Sequence, residues 1–160
     1  MNPKAFIFDL DGTVYKGGAA IPGAVEFLNR LTRDGVPFLF VTNRGNRTPS
    51  EITRQMIGMG ISCVEDMVLT SAQATAAYLG EVKAYVIGEK GVEEALAIVG
   101  AEIVEENPDV VIISYDTSFS YEKLTKAVRH VLAGARLIAT NADNIITVEE
   151  IGRASCRERV

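Results

Sequence analysis

Two aspartates stand two positions apart at the end of the first apolar run of the chain. Asp9 and Asp11 flank Leu10, and Gly12 follows them directly. Two carboxylates held this close repel each other, and a shared proton or a divalent cation relieves the repulsion. A cation such as Mg²⁺ prefers oxygen ligands and commonly binds substrate phosphate oxygens as well. The pair therefore indicates phosphoryl chemistry, with an ordinary polar turn as the alternative because Asp and Gly are favoured in turns.

The chemistry that suits such a pair is displacement at phosphorus. One carboxylate can attack the phosphorus atom to form an aspartyl-phosphate, while the other moves protons to the leaving group and from water. Thr42 and Asn43 follow a second apolar run, and hydroxyl and backbone N–H groups there could bind the phosphoryl oxygens. A turn that simply ends a strand is the alternative for these two residues.

Short apolar runs alternate with amphipathic segments, which predicts an α/β fold with a parallel sheet and helices packed on its faces. The predicted strands are 5–10, 37–42, 67–70, 84–87, 110–114 and 136–140. The predicted helices run from Pro22 to just before Gly35 and over 49–59, 72–79, 92–99 and 121–132, with Ser71 as the cap of the third. Strand 37–42 is too continuously apolar to have a solvent-exposed face. Because ligands bind beyond the carboxyl ends of parallel strands, the two aspartates and the Thr42–Asn43 pair should meet along one edge if their strands are adjacent.

Composition and charge restrict the partners. The 160 residues carry a formal net charge of −5, which argues against nucleic acid or an anionic membrane as the main partner. No apolar run approaches the length of a membrane span, and the N-terminus lacks a signal-peptide layout, so we expect a cytoplasmic protein. Cys63 and Cys156 have no metal-type spacing. The oligomeric state is open, and a homo-oligomer is compatible with the sequence.

At the motif residues the chain resembles the haloacid dehalogenase superfamily of phosphohydrolases. The first motif of that family is Asp-x-Asp-Gly-Thr, matched by Asp9 to Thr13, and the second is a Thr or Ser at the end of the next core strand, matched by Thr42. The resemblance narrows to subfamily IIA, which includes NagD and the 4-nitrophenylphosphatases. Further segments look like that subfamily, and the matches together cover most of residues 4–149: 12–18, 21–24, 47–49, 70–75 and 138–141.

The resemblance implies a role for each motif residue. Asp9 would be the nucleophile and a Mg²⁺ ligand, and Asp11 would be the general acid/base and would bind the metal through its backbone carbonyl. Thr42 and Asn43 would hold the phosphoryl group. The family often has a second asparagine where this chain has Arg44, so Arg44 either adds positive charge at the phosphate or is a solvated loop arginine.

The resemblance also divides the chain into domains. Residues 1–81 would form the N-terminal part of a Rossmann-like haloacid dehalogenase core with a partial parallel sheet, and 82–149 the first part of the α/β cap that this subfamily inserts. Residues 150–160 have no apolar period and are similar to one translated frame of a common sequencing adaptor, which predicts a non-native tail; a solvated basic tail is the alternative. The lysine of the third motif and the acidic ligands of the fourth would follow the cap. We therefore expect a C-terminally truncated chain with little or no activity.

The loop 116–121 follows an apolar strand of the predicted cap and has two interpretations. It could point toward the substrate, or it could simply cap the next helix.

The sequence as a whole predicts a Mg²⁺-dependent phosphatase of small phosphorylated metabolites (sugar phosphates, nucleotides or aryl phosphates) that works through an aspartyl-phosphate. A receiver-like phospho-acceptor is one alternative, although receivers usually have adjacent acidic ligands and an acceptor on a later strand. A non-catalytic phosphometabolite-binding protein is the other. Turnover that is lost on Asp9→Asn would support only the phosphatase.

Overall fold

A computed structural model describes residues 3–143 together with the backbone of 145–146 and 154–155. The strands are β1 (Phe6–Asp9), β2 (Tyr15–Lys16), β3 (Ala19–Ala20), β4 (Phe38–Thr42), β5 (Val68–Thr70), β6 (Lys83–Ile87), β7 (Glu102–Ile103), β8 (Val110–Ile113), β9 (Arg136–Ala139), β10 (Ile145–Ile146) and β11 (Ala154–Ser155). The helices are α1 (Ala24–Arg33), α2 (Pro49–Gly58), α3 (Ser71–Leu79), α4 (Lys90–Ile98) and α5 (Tyr121–Leu132), with a 3₁₀ turn at Glu65–Met67. The prediction of an α/β fold with parallel sheets and flanking helices is confirmed.

The described residues form two compact units. The first contains residues 3–42, 49–69 and 142–143, and the second contains Asn43–Thr48 and Thr70–Asn141. The predicted family domains, 1–81 and 82–149, remain predictions. The predicted tail, 150–160, lies outside the described residues except for the backbone of β11, which pairs antiparallel with β10.

The first unit is built on a three-stranded sheet in the order β1-β4-β5. β1 and β4 are parallel, with Phe6 opposite Phe38 and Asp9 opposite Val41. Phenylalanines of both strands stack on one face of this sheet, and leucine, isoleucine and methionine side chains of α1 and α2 complete the buried cluster around them. Burial of this face is the main force that holds the two strands in register.

The opposite face of the same sheet is exposed. Leu39 is 46% exposed and Val41 38%, and Ile7 and Leu69 on the neighbouring strands are exposed as well. The prediction of a strand at 37–42 is confirmed, but the prediction that it has no solvent-exposed face is wrong. The physical reason is that α1 and α2 both pack against the phenylalanine face.

The second unit has a four-stranded parallel sheet in the order β7-β6-β8-β9. Small and aliphatic side chains of α3 and α4 pack on one face, and Ala127 of α5 packs on the other. The strands of such a sandwiched sheet are expected to be apolar on both sides. β8 agrees, because Val110, Val111 and Ile112 are all fully buried.

Some local details differ from the predictions. α5 has the predicted bounds, but α3 is capped by Thr70 rather than Ser71, because Thr70 Oγ1 and the Gln73 side chain each accept a hydrogen bond from the other residue's backbone N–H. The hairpin of β2 and β3, and strand β7, were not predicted, since two residues are too few to show a period. No helix in residues 3–143 is long and apolar enough to cross a bilayer.

The phenylalanine face predicts a difference between neighbouring residues of β4. Phe40 is 0% exposed, and Leu39 beside it is on the open face. Phe40→Ala should lower the free energy of unfolding by about 3–5 kcal/mol, whereas Leu39→Ala should cost about 1 kcal/mol or less. Urea unfolding followed by circular dichroism measures both, and equal losses would contradict the assignment of the faces.

Candidate active site

The parallel pairing of β1 with β4 determines where the first predicted site residues lie. Asp9 is the last residue of β1, and Thr42 is the last residue of β4, one position beyond the Asp9–Val41 pair. The two strands are adjacent and run in the same direction, so Asp9 and Thr42 stand at the same edge of the sheet. Asp9 is exposed, whereas Thr42 is 2% exposed.

A tight turn after β1 positions Asp11. The Gly12 N–H donates to the Tyr15 carbonyl at 2.8 Å, and the Val14 N–H donates to the Leu10 carbonyl at 2.9 Å. Gly12 has a φ of +84°, a left-handed conformation that L-residues with a Cβ adopt at a cost. Leu10 and Tyr15 are buried in the core, so the turn is anchored at both ends and holds the half-buried Asp11 between them.

The other predicted site residues, Asn43 and Arg44, belong to the second unit by their packing. The carbonyl oxygen of Asn43 accepts hydrogen bonds from Ser71 Oγ at 2.8 Å and from Asn141 Nδ2 at 2.6 Å. Arg44 is half-buried, so it is not a fully solvated loop arginine. Ser71, which the sequence suggested as a helix cap, therefore uses its hydroxyl to hold the backbone directly after Thr42.

The loop after β8 makes helix-capping contacts within the second unit. Ser120 Oγ accepts from the Lys123 N–H at 3.2 Å and caps α5. The side chain of Asp116 is 1% exposed and accepts from Lys123 Nζ at 2.6 Å and from Ser118 Oγ at 2.7 Å. Through Ser120 the loop therefore caps α5, and its orientation toward a substrate remains a prediction.

The donor set fits a hard cation. No cluster of three or more His, Cys, Asp or Glu side chains suited to a metal occurs in the described part of the chain. Asp9 and Asp11 offer oxygen atoms alone, and Mg²⁺ is typically bound by one or two carboxylates together with waters and substrate phosphate oxygens. The two aspartates at this strand end are therefore suited to Mg²⁺, whereas a structural zinc site would require four N or S ligands.

Comparison with known protein families identifies the family of the chain. The family model described as haloacid dehalogenase-like hydrolase matches residues 6–102, more than half of the chain. The chain belongs to this family. Within it the relatives place the chain in the NagD-like subfamily IIA.

Curated relatives are similar to this chain over most of the chain's length. The 5'-nucleotidase YutF of Bacillus subtilis is 39% identical over 150 residues, which cover 91% of this chain and 59% of YutF. An acid sugar phosphatase of Staphylococcus epidermidis is 40% identical over 151 residues, covering 91% of this chain and 58% of that protein. The chain thus spans a little under three fifths of the length of these relatives.

Solved structures show the same fold. A 4-nitrophenylphosphatase from Thermotoga maritima superposes with a TM-score of 0.88 at 31% identity, covering 95% of this chain and 59% of that one. NagD from Escherichia coli K-12 superposes with a TM-score of 0.83 at 36% identity, covering 90% and 59%.

The turn at Gly12 predicts a specific loss of stability. Gly12→Ala forces a Cβ into a left-handed conformation, although the space beside it is open, and should destabilise the protein by about 1–2 kcal/mol. Gly58→Ala is the matched control, because Gly58 ends α2 with equally open space, and it should leave stability unchanged or raise it by up to about 1 kcal/mol. Thermal unfolding of the two variants measures this difference, and an equal response would show that the turn is unstrained.

Asp116 predicts a pH dependence of stability. Burial by itself would raise the pKa of this carboxyl, but the hydrogen bonds from Lys123 and Ser118 prevail and hold the pKa below its ordinary value. Because the pKa of Asp116 in the folded protein lies below its ordinary value near 4, the ionised carboxylate stabilises the folded state at pH values above about 4. This contribution is lost as the pH falls through the pKa of the folded protein. Asp116→Asn should therefore cost about 1–2 kcal/mol at pH 7 and flatten the loss of stability between pH 5 and pH 2. An unchanged slope in denaturant titrations at several pH values would contradict this account.

Proposed function

We propose that this chain is part of a Mg²⁺-dependent phosphatase that hydrolyses small phosphorylated metabolites through an aspartyl-phosphate on Asp9. The observation that carries the proposal is the parallel pairing of β1 and β4, which places Asp9 and Thr42 at one edge of the sheet. The relatives support the substrate class, because they are named as a 5'-nucleotidase, acid sugar phosphatases and a 4-nitrophenylphosphatase. We accordingly propose nucleotides, sugar phosphates or aryl phosphates as substrates.

The reaction needs two displacements at one phosphorus atom. In the first, an oxygen of Asp9 attacks phosphorus, the ester P–O bond breaks, and the leaving oxygen takes a proton from the Asp11 carboxyl. In the second, Asp11 removes a proton from water, the water oxygen attacks the same phosphorus, and the bond to Asp9 breaks to release inorganic phosphate. Thr42, Asn43 and Arg44 would hold the phosphoryl oxygens during both steps.

The metal would be held by the Asp9 carboxylate and the Asp11 backbone carbonyl. Mg²⁺ bound there would neutralise negative charge shared by the nucleophile and the phosphoryl group. Two other expectations from the sequence, a cytoplasmic location and little turnover by the 160 residues alone, remain predictions. Family membership supports the hydrolase over a receiver-like phospho-acceptor.

The test is phosphatase activity of the protein expressed at the full length of its gene. Asp9→Asn should lower kcat/KM toward a panel of phosphate esters by at least about 10⁴-fold, because it removes the nucleophile. Asp11→Asn should lower it by about 10²–10⁴-fold, because it removes the general acid/base. Chelation of Mg²⁺ should abolish turnover, and added Mg²⁺ should restore it.

Asp66→Asn is the control for the change of charge, since Asp66 is exposed in the 3₁₀ turn, away from the motifs in sequence. It should keep full activity. Turnover that survives Asp9→Asn would exclude the aspartyl-phosphate route. Phosphate binding without turnover by the unaltered protein would favour the non-catalytic alternative.

A further inference from the structure

The loop Asn43–Thr48 is bound at the carboxyl edge of the second unit's sheet. β6, β8 and β9 pair in parallel in that order, so their carboxyl ends lie side by side. Ligands of open parallel sheets usually bind at such an edge. In this unit, residues that follow the three strands contact the loop Asn43–Thr48 of the same chain. This loop begins with the predicted phosphate-binding residues Asn43 and Arg44.

Close packing of glycines brings the loop against this edge. A Cβ on Gly45 would lie 2.7 Å from Ser114 Oγ and 3.0 Å from Thr140 Oγ1, so a larger residue there would require these hydroxyl groups to move. Gly91, in the first turn of α4, also packs closely against the loop, because a Cβ on it would lie 2.5 Å from the Gly45 carbonyl oxygen. The Gly91 N–H donates to the Asn46 carbonyl at 3.1 Å.

Glu89, between β6 and α4, binds the loop through its side chain. Its Oε2 accepts from Asn46 Nδ2 at 3.2 Å. Its Oε1 accepts from the N–H of Thr117 at 2.9 Å and from the Thr117 hydroxyl at 2.7 Å. Burial would raise the pKa of this half-buried carboxyl, but the hydrogen bonds from Thr117 and Asn46 prevail and lower it. Ionised Glu89 thus accepts on both oxygens.

A purely local role for Glu89 does not account for these contacts. Glu89 is the N-cap residue of α4, yet its side chain makes no capping hydrogen bond, and Ser, Thr, Asp or Asn is preferred at that position. The side chain instead joins two segments that are 43 and 28 residues away in sequence. Its side-chain hydrogen bonds therefore join Asn46 of the loop to Thr117 and do not cap the helix that Glu89 begins.

We propose that Glu89 is a positioning residue for phosphate binding, because it fixes Asn46 and with it the loop that carries Asn43 and Arg44. Ser71 and Asn141 fix the start of the same loop through the Asn43 carbonyl. The role of this clamp in catalysis rests on the proposed function, whereas its existence does not. The geometry with which the loop Asn43–Thr48 binds phosphate would thus depend on Glu89, Ser71 and Asn141.

The first test needs no activity and uses the 160-residue chain. Glu89→Gln keeps the size of the side chain but replaces one acceptor oxygen by an NH₂ group, so it cannot accept from both Asn46 and Thr117. Hydrogen exchange of the Gly91 amide should become about 5- to 10-fold faster, as expected for the loss of one part-buried hydrogen bond of ordinary strength. Glu93→Gln, on the exposed side of α4, makes the same charge change and should leave this exchange rate unaltered.

A compensating pair of substitutions distinguishes positioning from general destabilisation. In Asn46→Asp with Glu89→Gln, the donor and acceptor exchange sides, and the Gln amide can donate to the new carboxylate. The double variant should restore slow exchange at Gly91. Asn46→Asp alone should give faster exchange than Glu89→Gln or the double variant, because it places two carboxylates together. Strictly additive effects in this cycle, or unchanged exchange in Glu89→Gln, would overturn the clamp.

The second test measures the catalytic consequence at the full length of the gene. Glu89→Gln should raise KM for phosphate esters and Ki for inorganic phosphate by about 3- to 10-fold, with a smaller change in kcat, and the double variant should reverse it. An unchanged KM and Ki with a loosened loop would overturn the positioning role. If the unaltered protein turned over no phosphate ester, the proposed function would fail, while binding of inorganic phosphate and the exchange data would still decide the clamp.

Discussion

The parallel pairing of β1 with β4 is the constraint on which the rest of the first unit depends. Its register places the end of one strand beside the end of the next, so Asp9 and Thr42 reach one edge although 32 residues separate them in the chain. That register is maintained by the buried phenylalanine face, since a shift by one residue would expose the whole set. The chemistry proposed at the edge is therefore positioned by apolar packing beneath it.

The second unit applies the same principle in a different way. Its parallel sheet also collects polar side chains after the carboxyl ends of its strands, and Glu89 and Asn141 among them are hydrogen-bonded to the loop that follows Thr42. The peptide bond between Thr42 and Asn43 is one of the points where the chain passes from one packing unit to the other.

Prediction from sequence succeeded where the signal is a long period or a short-range motif. The helix 121–132 was predicted with its observed bounds, and the strands preceding Asp9 and Thr42 were placed within a residue or two. It failed where neighbours compete for one role, as when Thr70 rather than Ser71 caps α3, because both can accept the same bond and only the partners decide. The open face of β4 was missed because apolarity shows that a face can be buried, not that a helix lies over it.

What the sequence by itself determined is the chemistry: two aspartates around Leu10, the glycine that lets the chain turn, and a threonine that ends the next strand. These follow from residue type and local spacing, which are the same in the chain and in the folded protein. Only the tertiary structure decided which residues support them. Glu89, Ser71 and Asn141 hold the loop 43–48 across long sequence separations, and hydrogen bonds between distant segments leave no periodic trace in a sequence.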